Sequence, residues 1–446
     1  MRRRLLLFFC ALILLIPMGA MAGAKKNPRL PKAFFVEMKE KRTTQKNGSF
    51  ISAFYPKTIN RQVNGELAAI VDGYIENIAP TLPTGKKTAP QNSRLDVRCV
   101  YSPTGESWLS FLMLARTVYH REQLGVEFSS RTYDASTGKQ ILLTDIFPSD
   151  SPAWEVLQDA VRTQLSAYFP GEQADPKVLD ALCAREVLES AAYTLGAVKM
   201  ELHFPASLLY KDYPTVMHVK VYYKDLTGMM TEEAARQTDN SRYPIVALTF
   251  DDGPRYVGTV DLLDTLQAYG AKATFFLIGD QLEENKDVVQ RQHDEGHTIA
   301  SHTYNHFQPS SLTPQIAAEH KVLFDQLLTG ITGLPAPYMR APGGAYEFYV
   351  KNSIGLPLIQ WSLISHDIEY KSSKAIVRLV SGTVSDGGIV LMHDTRPYTV
   401  NGMKSLLWHL RRQGFLCVTV EDLFVQNNRP LEANIVYQDA KGKTLK

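Results

Sequence analysis

The chain has 446 residues, 44% of them hydrophobic and 21% charged, with a formal charge of +2. Apolar material on that scale supplies two or three domain cores, which argues against a disordered chain, and so balanced a charge gives no sign of a nucleic-acid partner. Four cysteines without a CxxC pair indicate neither a disulfide framework nor a cysteine zinc site.

The N-terminus reads as an export signal. Arg2 to Arg4 precede an apolar run from Leu5 to Met18, and Ala20-Met21-Ala22 follows with the small-x-small pattern of a cleavage site. Residues 1–22 are therefore expected to be a signal peptide or, left uncleaved, a membrane anchor. Cys10 leaves with the signal. Cys99, Cys183 and Cys417 remain, with a single Cys99–Cys183 bridge the pairing left open, and the mature balance becomes 45 basic against 46 acidic groups, 48 less the three arginines.

Residues 23–46 read as a basic, solvated spacer. From 47 to 226 the periodicity predicts a smaller α+β accessory domain. Ile59, Val63, Leu67, Ile70, Tyr74 and Ile78 recur at helical steps, and Leu95, Val97, Cys99 and Tyr101 alternate with polar residues as a strand. Trp108 to Leu114 supplies its hairpin partner. Val126 to Tyr133 and Gln140 to Leu142 flank a further turn. Ser151-Pro152 opens a second helix, and strands follow near Val198 to Phe204 and Val216 to Tyr223. The polar stretch 227–242 reads as a linker.

Beyond it, apolar strands alternate with amphipathic helices. Strands are predicted at Ile245 to Phe250, Ala273 to Ile278, Thr298 to Ser301, Tyr338 to Arg340, Leu358 to Trp361, Ile389 to Met392 and Phe415 to Val420. The clearest helix begins at Thr313-Pro314. Alternating units of this kind predict an α/β fold, an irregular (β/α) barrel over 243–425 with a tail at 426–446. The accessory half carries its own helices and strands, so the two halves are expected to separate cleanly.

Chemistry concentrates at the predicted strand ends, the rim where barrel enzymes gather catalytic residues. Asp251 and Asp252 follow an apolar strand directly and are released by Gly253-Pro254. His302 and His306, four residues apart, can face one side of a helical turn and share a metal. With an aspartate they supply two nitrogens and one oxygen and leave coordination positions open, as a catalytic site requires. Arg340-Ala341-Pro342-Gly343-Gly344, Trp361 to Asp367 and Leu391-Met392-His393-Asp394 place further charged groups at the same rim.

In order, TFDDGP, HTYNH, RAPGG, WSLISHD and LMHD resemble the five motifs of the polysaccharide deacetylase family, carbohydrate esterase family four, across roughly residues 243 to 425. The resemblance implies a secreted or cell-wall-associated, Gram-positive-type N-deacetylase. It implies Asp251 as general base, Asp252, His302 and His306 as ligands of one divalent metal, and His393 as general acid, with Arg340 orienting Asp251 and Asp367 orienting His393. Zinc is the expected metal, with cobalt, manganese or nickel also suited. Pro342, Gly343, Trp361, Ile368 and Leu391 fall at substrate-binding positions. The chain departs from the family pattern at Ile364, which replaces an acid, and at Ile368, which replaces an aromatic beside the acetate pocket. His366, His293 and His297 read as loop or structural residues.

Residues 50 to 225 also resemble the extracellular domain shared by some Gram-positive peptidoglycan deacetylases and lysozyme-sensing anti-sigma factors, which implies a binding or spacing role for an unidentified ligand. The expected partner of the whole chain is an N-acetylated cell-wall glycan, most simply peptidoglycan. Chitin oligomers and O-acetylated xylan are alternative substrates. A catalytically silent glycan-binding or sensing protein is the alternative from another class.

Overall fold

The computed structural model describes residues 27–84, 92–307, 313–351, 354–442 and 444–445. The export signal expected at 1–22 lies outside the described residues. Among those residues no helix is long and apolar enough to cross a membrane.

The first half is an α+β assembly. Strands β1 (Glu37–Thr44), β2 (Phe50–Lys57), β3 (Ser93–Thr104), β4 (Trp108–Tyr119), β5 (Glu122–Asp134) and β6 (Gln140–Ile141) pair in that order. β2 and β3 run parallel because the helix Arg61–Ile78 crosses between them, whereas β3, β4 and β5 are successive antiparallel neighbours. Asn60 starts that helix by accepting from the backbone N–H groups of Gln62 and Val63. Val63, Leu67, Val71 and Ile78 form its buried face, matching the predicted stripe at Val63, Leu67 and Ile78 but one step off at Val71, and Ile59 lies exposed before the helix. A second sheet, β7 (Ala192–Leu195), β8 (Lys199–Pro205) and β9 (Val216–Tyr222), is antiparallel and packs against the helix Ala153–Ala167. The segment expected to be a bare spacer contributes β1, an exposed edge strand, and a turn that buries Phe34. The cysteines at 99, 183 and 417 are free thiols, so the Cys99–Cys183 bridge is not formed.

The second half is the barrel. β10 (Ile245–Gly253), β11 (Thr274–Leu277), β12 (Thr298–Ser301), β13 (Leu358–Ile359), β14 (Leu363–Ile364), β15 (Gly388–His393) and β16 (Leu416–Val418) follow one another, with every pairing among them parallel. β10 is central, flanked by β15 on one side and by β16 and β11 in succession along its length. Met339 bridges Ser301 and Leu358, so the segment holding β13 and β14 touches β12's side at one end and β15 at the other and closes the ring. The predicted strand 338–340 is reduced to that bridge. Thr313 caps the helix Pro314–Thr332 as expected, and Phe324, Leu328 and Ile331 lie on its buried face while Ile316 and Leu323 are exposed. The stretch past 425 is no loose tail: β17 (Val436–Tyr437) pairs with β13, and Tyr437 packs on Phe424.

The two halves share a core. Cys99, Tyr101, Leu109, Phe111 and Tyr133 are buried in one apolar cluster with Tyr243, Ile245, Phe276, Leu416 and Val418. The polar face of β3 and β4, which alternation assigns to solvent, is buried against the barrel helices. Arg94 pairs with Asp287, Arg98 Nη1 donates to Asp264 at 2.6 Å, and Arg116 Nη2 donates to the Asp287 carbonyl at 2.7 Å. The expected linker is likewise packed: 232–238 is helical, and Gln237 and Asn240 are buried with hydrogen bonds to the β3–β4 turn.

Candidate active site

Strand register brings the rim together. Asp251 is the Cα partner of His393 across β10 and β15 and of Phe276 across β10 and β11, while Ser301, at the end of β12, pairs with Leu277. Residues just past these positions therefore emerge side by side at the C-terminal end of the sheet.

Asp252, with φ 73, turns its carboxylate toward the loop after β12. Its Oδ1 lies 3.5 Å from His302 Nε2 and 3.4 Å from His306 Nε2. The three groups present ligand atoms within 4.8 Å of one another. They do not do so from a helical turn. Residues 302–306 are an irregular loop with left-handed backbone at Thr303 (φ 69) and His306 (φ 58), which swings the second imidazole back toward the first. His302 donates its Nδ1–H to the Arg340 carbonyl at 2.9 Å, which leaves the Nε2 lone pair facing Asp252. Asp252 Oδ1 is buried without a hydrogen-bond partner. Two imidazoles, one carboxylate and an orphaned buried oxygen fit a borderline divalent cation with open coordination positions.

Asp251 stands beside this cluster, 3.9 Å from His302 Nε2, and is held by Arg340. The guanidinium is fully buried. Nη1 donates to Asp251 Oδ1 at 2.7 Å and to Thr249 Oγ1 at 2.8 Å, while Nε and Nη2 donate to the carbonyls of Ile359 and Gln360. It lies over the Phe276 ring at 4.0 Å and near that of Trp361 at 5.7 Å. Burial works against the charge of Arg340, and Asp251 opposes that effect.

On the other side, His393 Nδ1 donates to Asp367 Oδ1 at 2.8 Å, and the His393 backbone N–H and Thr399 Oγ1 donate to Oδ2, each at 2.7 Å. This fixes the Nδ1–H tautomer and leaves Nε2 to carry the mobile proton. Burial lowers the His393 pKa, but the hydrogen bond and charge of Asp367 outweigh it and raise the value above the ordinary histidine range. Asp367 is correspondingly held low, burial again being opposed by His393.

Among the expected substrate positions, Pro342 and Leu391 are buried, Gly343 is exposed at φ 61, and Trp361 is half-buried with its ring against Gly344. Ile368 is 58% exposed, a rim residue open to solvent. His366 bonds Glu369 away from the constellation. His297, buried, and His293, half-buried, are structural residues bonded to the Ala273 N–H and the Val216 carbonyl. Thr249 and Thr399 are supports that the sequence does not single out, and Asp394, expected only as a further charged group at the rim, is a third. Asp394 is buried, accepts from Thr259 Oγ1, and is pushed up to about 7 by burial.

The fold and the rim put the chain among barrel proteins with a candidate metal site at the strand ends. It belongs to the polysaccharide deacetylase family, whose model matches residues 238–356. A peptidoglycan-N-acetylglucosamine deacetylase of Bacillus cereus is 33% identical over 187 residues, covering 40% of this chain and 87% of that protein. The enzyme of that name from Listeria monocytogenes, PgdA, is 38% identical over 203 residues, covering 44% of this chain and 42% of the relative, so the chain spans less than half of that relative's length. Among solved structures, the peptidoglycan deacetylase PdaC of Bacillus subtilis is 26% identical with a TM-score of 0.41, covering 42% of this chain and 92% of that one.

Proposed function

We propose that the chain hydrolyses N-acetyl groups on a cell-wall polysaccharide, most simply peptidoglycan, releasing acetate and a free amino sugar at the cell wall. The observation that carries this reading is the placement of the Asp252, His302 and His306 cluster between two differently tuned pairs, Asp251 with Arg340 and His393 with Asp367. A divalent metal held by the cluster, zinc or a cobalt, manganese or nickel ion, would polarise the acetyl carbonyl and acidify water toward a pKa of about 7.

The chain's own residues account for the proton traffic. Asp251, aimed by the buried Arg340, takes a proton from the attacking water. His393, whose proton is retained by the Asp367 charge, gives one from Nε2 to the departing amine nitrogen, which is a poor leaving group until protonated. Leu391 and Trp361 supply apolar surface for the acetyl group and sugar. The curated relatives named for peptidoglycan support the substrate class.

Acetate release from N-acetylglucosamine oligomers with added zinc or cobalt tests the reaction. His302→Ala is expected to lose bound metal and activity together. Asp251→Asn is expected to keep the metal and lose about 10² to 10⁴ in rate, the usual cost of a general base. Full activity in Asp251→Asn would refute the assignment.

A further inference from the structure

The hairpin between β4 and β5 belongs to the accessory half, yet its tip ends at the barrel rim. Its tip residue Arg121 meets both segments that follow the strands beside the metal-candidate cluster. Arg121 stacks at 4.8 Å on Tyr256, the first residue of the helix Tyr256–Ala268 that follows Asp251 and Asp252, and its Nη1 lies 3.8 Å from Glu284, in the loop after β11. That loop braces the histidine loop in turn, because the Gly279 and Asp280 N–H groups donate to the Thr303 and Tyr304 carbonyls at 3.0 and 2.8 Å.

The tip is held in place rather than resting there. Just behind it Arg94 pairs with Asp287, Arg116 Nη2 donates to the Asp287 carbonyl, and Gln123 Nε2 donates to Asp294 Oδ2 at 3.0 Å, all of them buried. What it displays is suited to a sugar chain. His120 and Arg121 are exposed side chains at consecutive left-handed positions, φ 49 and 66, where a two-residue hairpin ordinarily selects Asn-Gly or Gly-Gly. The His120 ring stands edge-on to Tyr119 at 4.3 Å. Val257, 84% exposed, follows Tyr256 in the irregular first turn of that helix. Aromatic and apolar faces beside charged hydrogen-bond donors recognise the faces and hydroxyls of pyranose rings.

We infer that the β4–β5 hairpin tip, with Tyr256 and Val257, forms a distal subsite that holds glycan residues beyond the one being deacetylated. The accessory half thereby builds part of the substrate cleft. This rests on the proposed deacetylase reading, so binding and turnover are measured separately. The full-length, metal-loaded protein and its His120→Ala/Arg121→Ala variant are compared on N-acetylglucosamine dimer and hexamer, by titration calorimetry and by acetate release. Lys177→Ala, at an exposed position of the helix Pro176–Leu182 in the accessory half, serves as control.

Loss of one or two hydrogen bonds is worth roughly five- to tenfold. The variant should lower the hexamer-to-dimer ratio of kcat/KM by that factor, with the loss in KM, and should weaken hexamer binding to the same extent, while Lys177→Ala does neither. An unchanged ratio with unchanged hexamer binding overturns the inference. Wild-type protein that binds hexamer with hairpin-dependent affinity but releases no acetate would overturn the catalytic reading and leave the subsite standing.

Discussion

His302 donates its Nδ1–H to the backbone carbonyl of Arg340 at 2.9 Å, and the Arg340 guanidinium reaches past it to Asp251 at 2.7 Å. One residue thus sets the orientation of a metal-candidate imidazole and of the adjacent acid. The main chain does the first and the side chain the second, so substitution separates them. Arg340→Met should leave His302 and metal binding in place but strand a buried Asp251 carboxylate. Breaking a buried pair in this way costs about 3 to 5 kcal/mol. A large fall in melting temperature and in kcat, with metal stoichiometry retained, is expected. A variant that melts like wild type would show that Asp251 has another partner.

The Asp367–His393 pair is expected to set the alkaline limit of activity. Asp367 raises the His393 pKa against the lowering effect of burial, and a general acid works only while protonated. Activity governed by His393 should therefore fall as pH rises through its raised pKa. In Asp367→Asn the raising charge is gone, burial prevails, and the descending limb of kcat/KM against pH should move to lower pH, with a reduced maximum. A limb that stays in place would assign it to a different group.

The barrel and its rim were legible because their signals are local. An apolar strand ending in Asp251-Asp252 needs no tertiary knowledge to read, and five such strand ends in order identify the family. The route by which His306 returns to His302 was not legible, since left-handed backbone at Thr303 and His306 overrides helical spacing and neither residue type announces it. The docking of the halves was hidden for a different reason. Arg94, Asp96 and Arg98 alternate with apolar residues as a solvated strand face would, and only Asp264 and Asp287, about 170 to 190 residues onward, reveal that the face is buried. Alternation reports polarity; it does not distinguish water from a complementary set of charges.

Stability should fall in mild acid because of histidines at that docking surface. The rings of His203 and His218 on the accessory half and His293 on the barrel lie 5.1 and 5.2 Å apart in sequence of contact, and His203 Nδ1 is 2.9 Å from His218 Nδ1. Burial is the largest influence on His203 and pushes it down to about 4, below the ordinary value near 6.5. Between those two values the unfolded chain binds the proton and the folded chain does not, so stability is complete above about pH 6.5 and drains away toward pH 4. For His203 alone the loss from pH 7.5 to 5 is about 2 kcal/mol. Urea unfolding at the two pH values should show it, and His203→Gln should flatten the dependence. An equal slope in wild type and variant would remove His203 as its source.

Cutting the chain between its halves should destroy the barrel rather than release it. A fragment of residues 243–446 would expose Tyr243, Ile245, Phe276, Leu416 and Val418, which are buried in one cluster with Tyr101, Leu109 and Phe111. It would also leave Asp287 without Arg94, Asp264 without Arg98 and Asp422 without Lys199, three acids now in buried or nearly buried pairs. Removing one partner of a buried pair costs about 3 to 5 kcal/mol, and an entire domain is stable by only about 5 to 15 kcal/mol. Water would relieve part of that cost, since the acids become exposed once the accessory half is gone. The apolar patch has no such relief and favours aggregation. The fragment is therefore expected in the insoluble fraction or as soluble aggregates. Residues 27–242 supplied in trans should recover a soluble complex, because they restore the apolar cover and the three cations together. A fragment that elutes as a monomer and melts cooperatively by itself would show that the shared core is dispensable to the barrel.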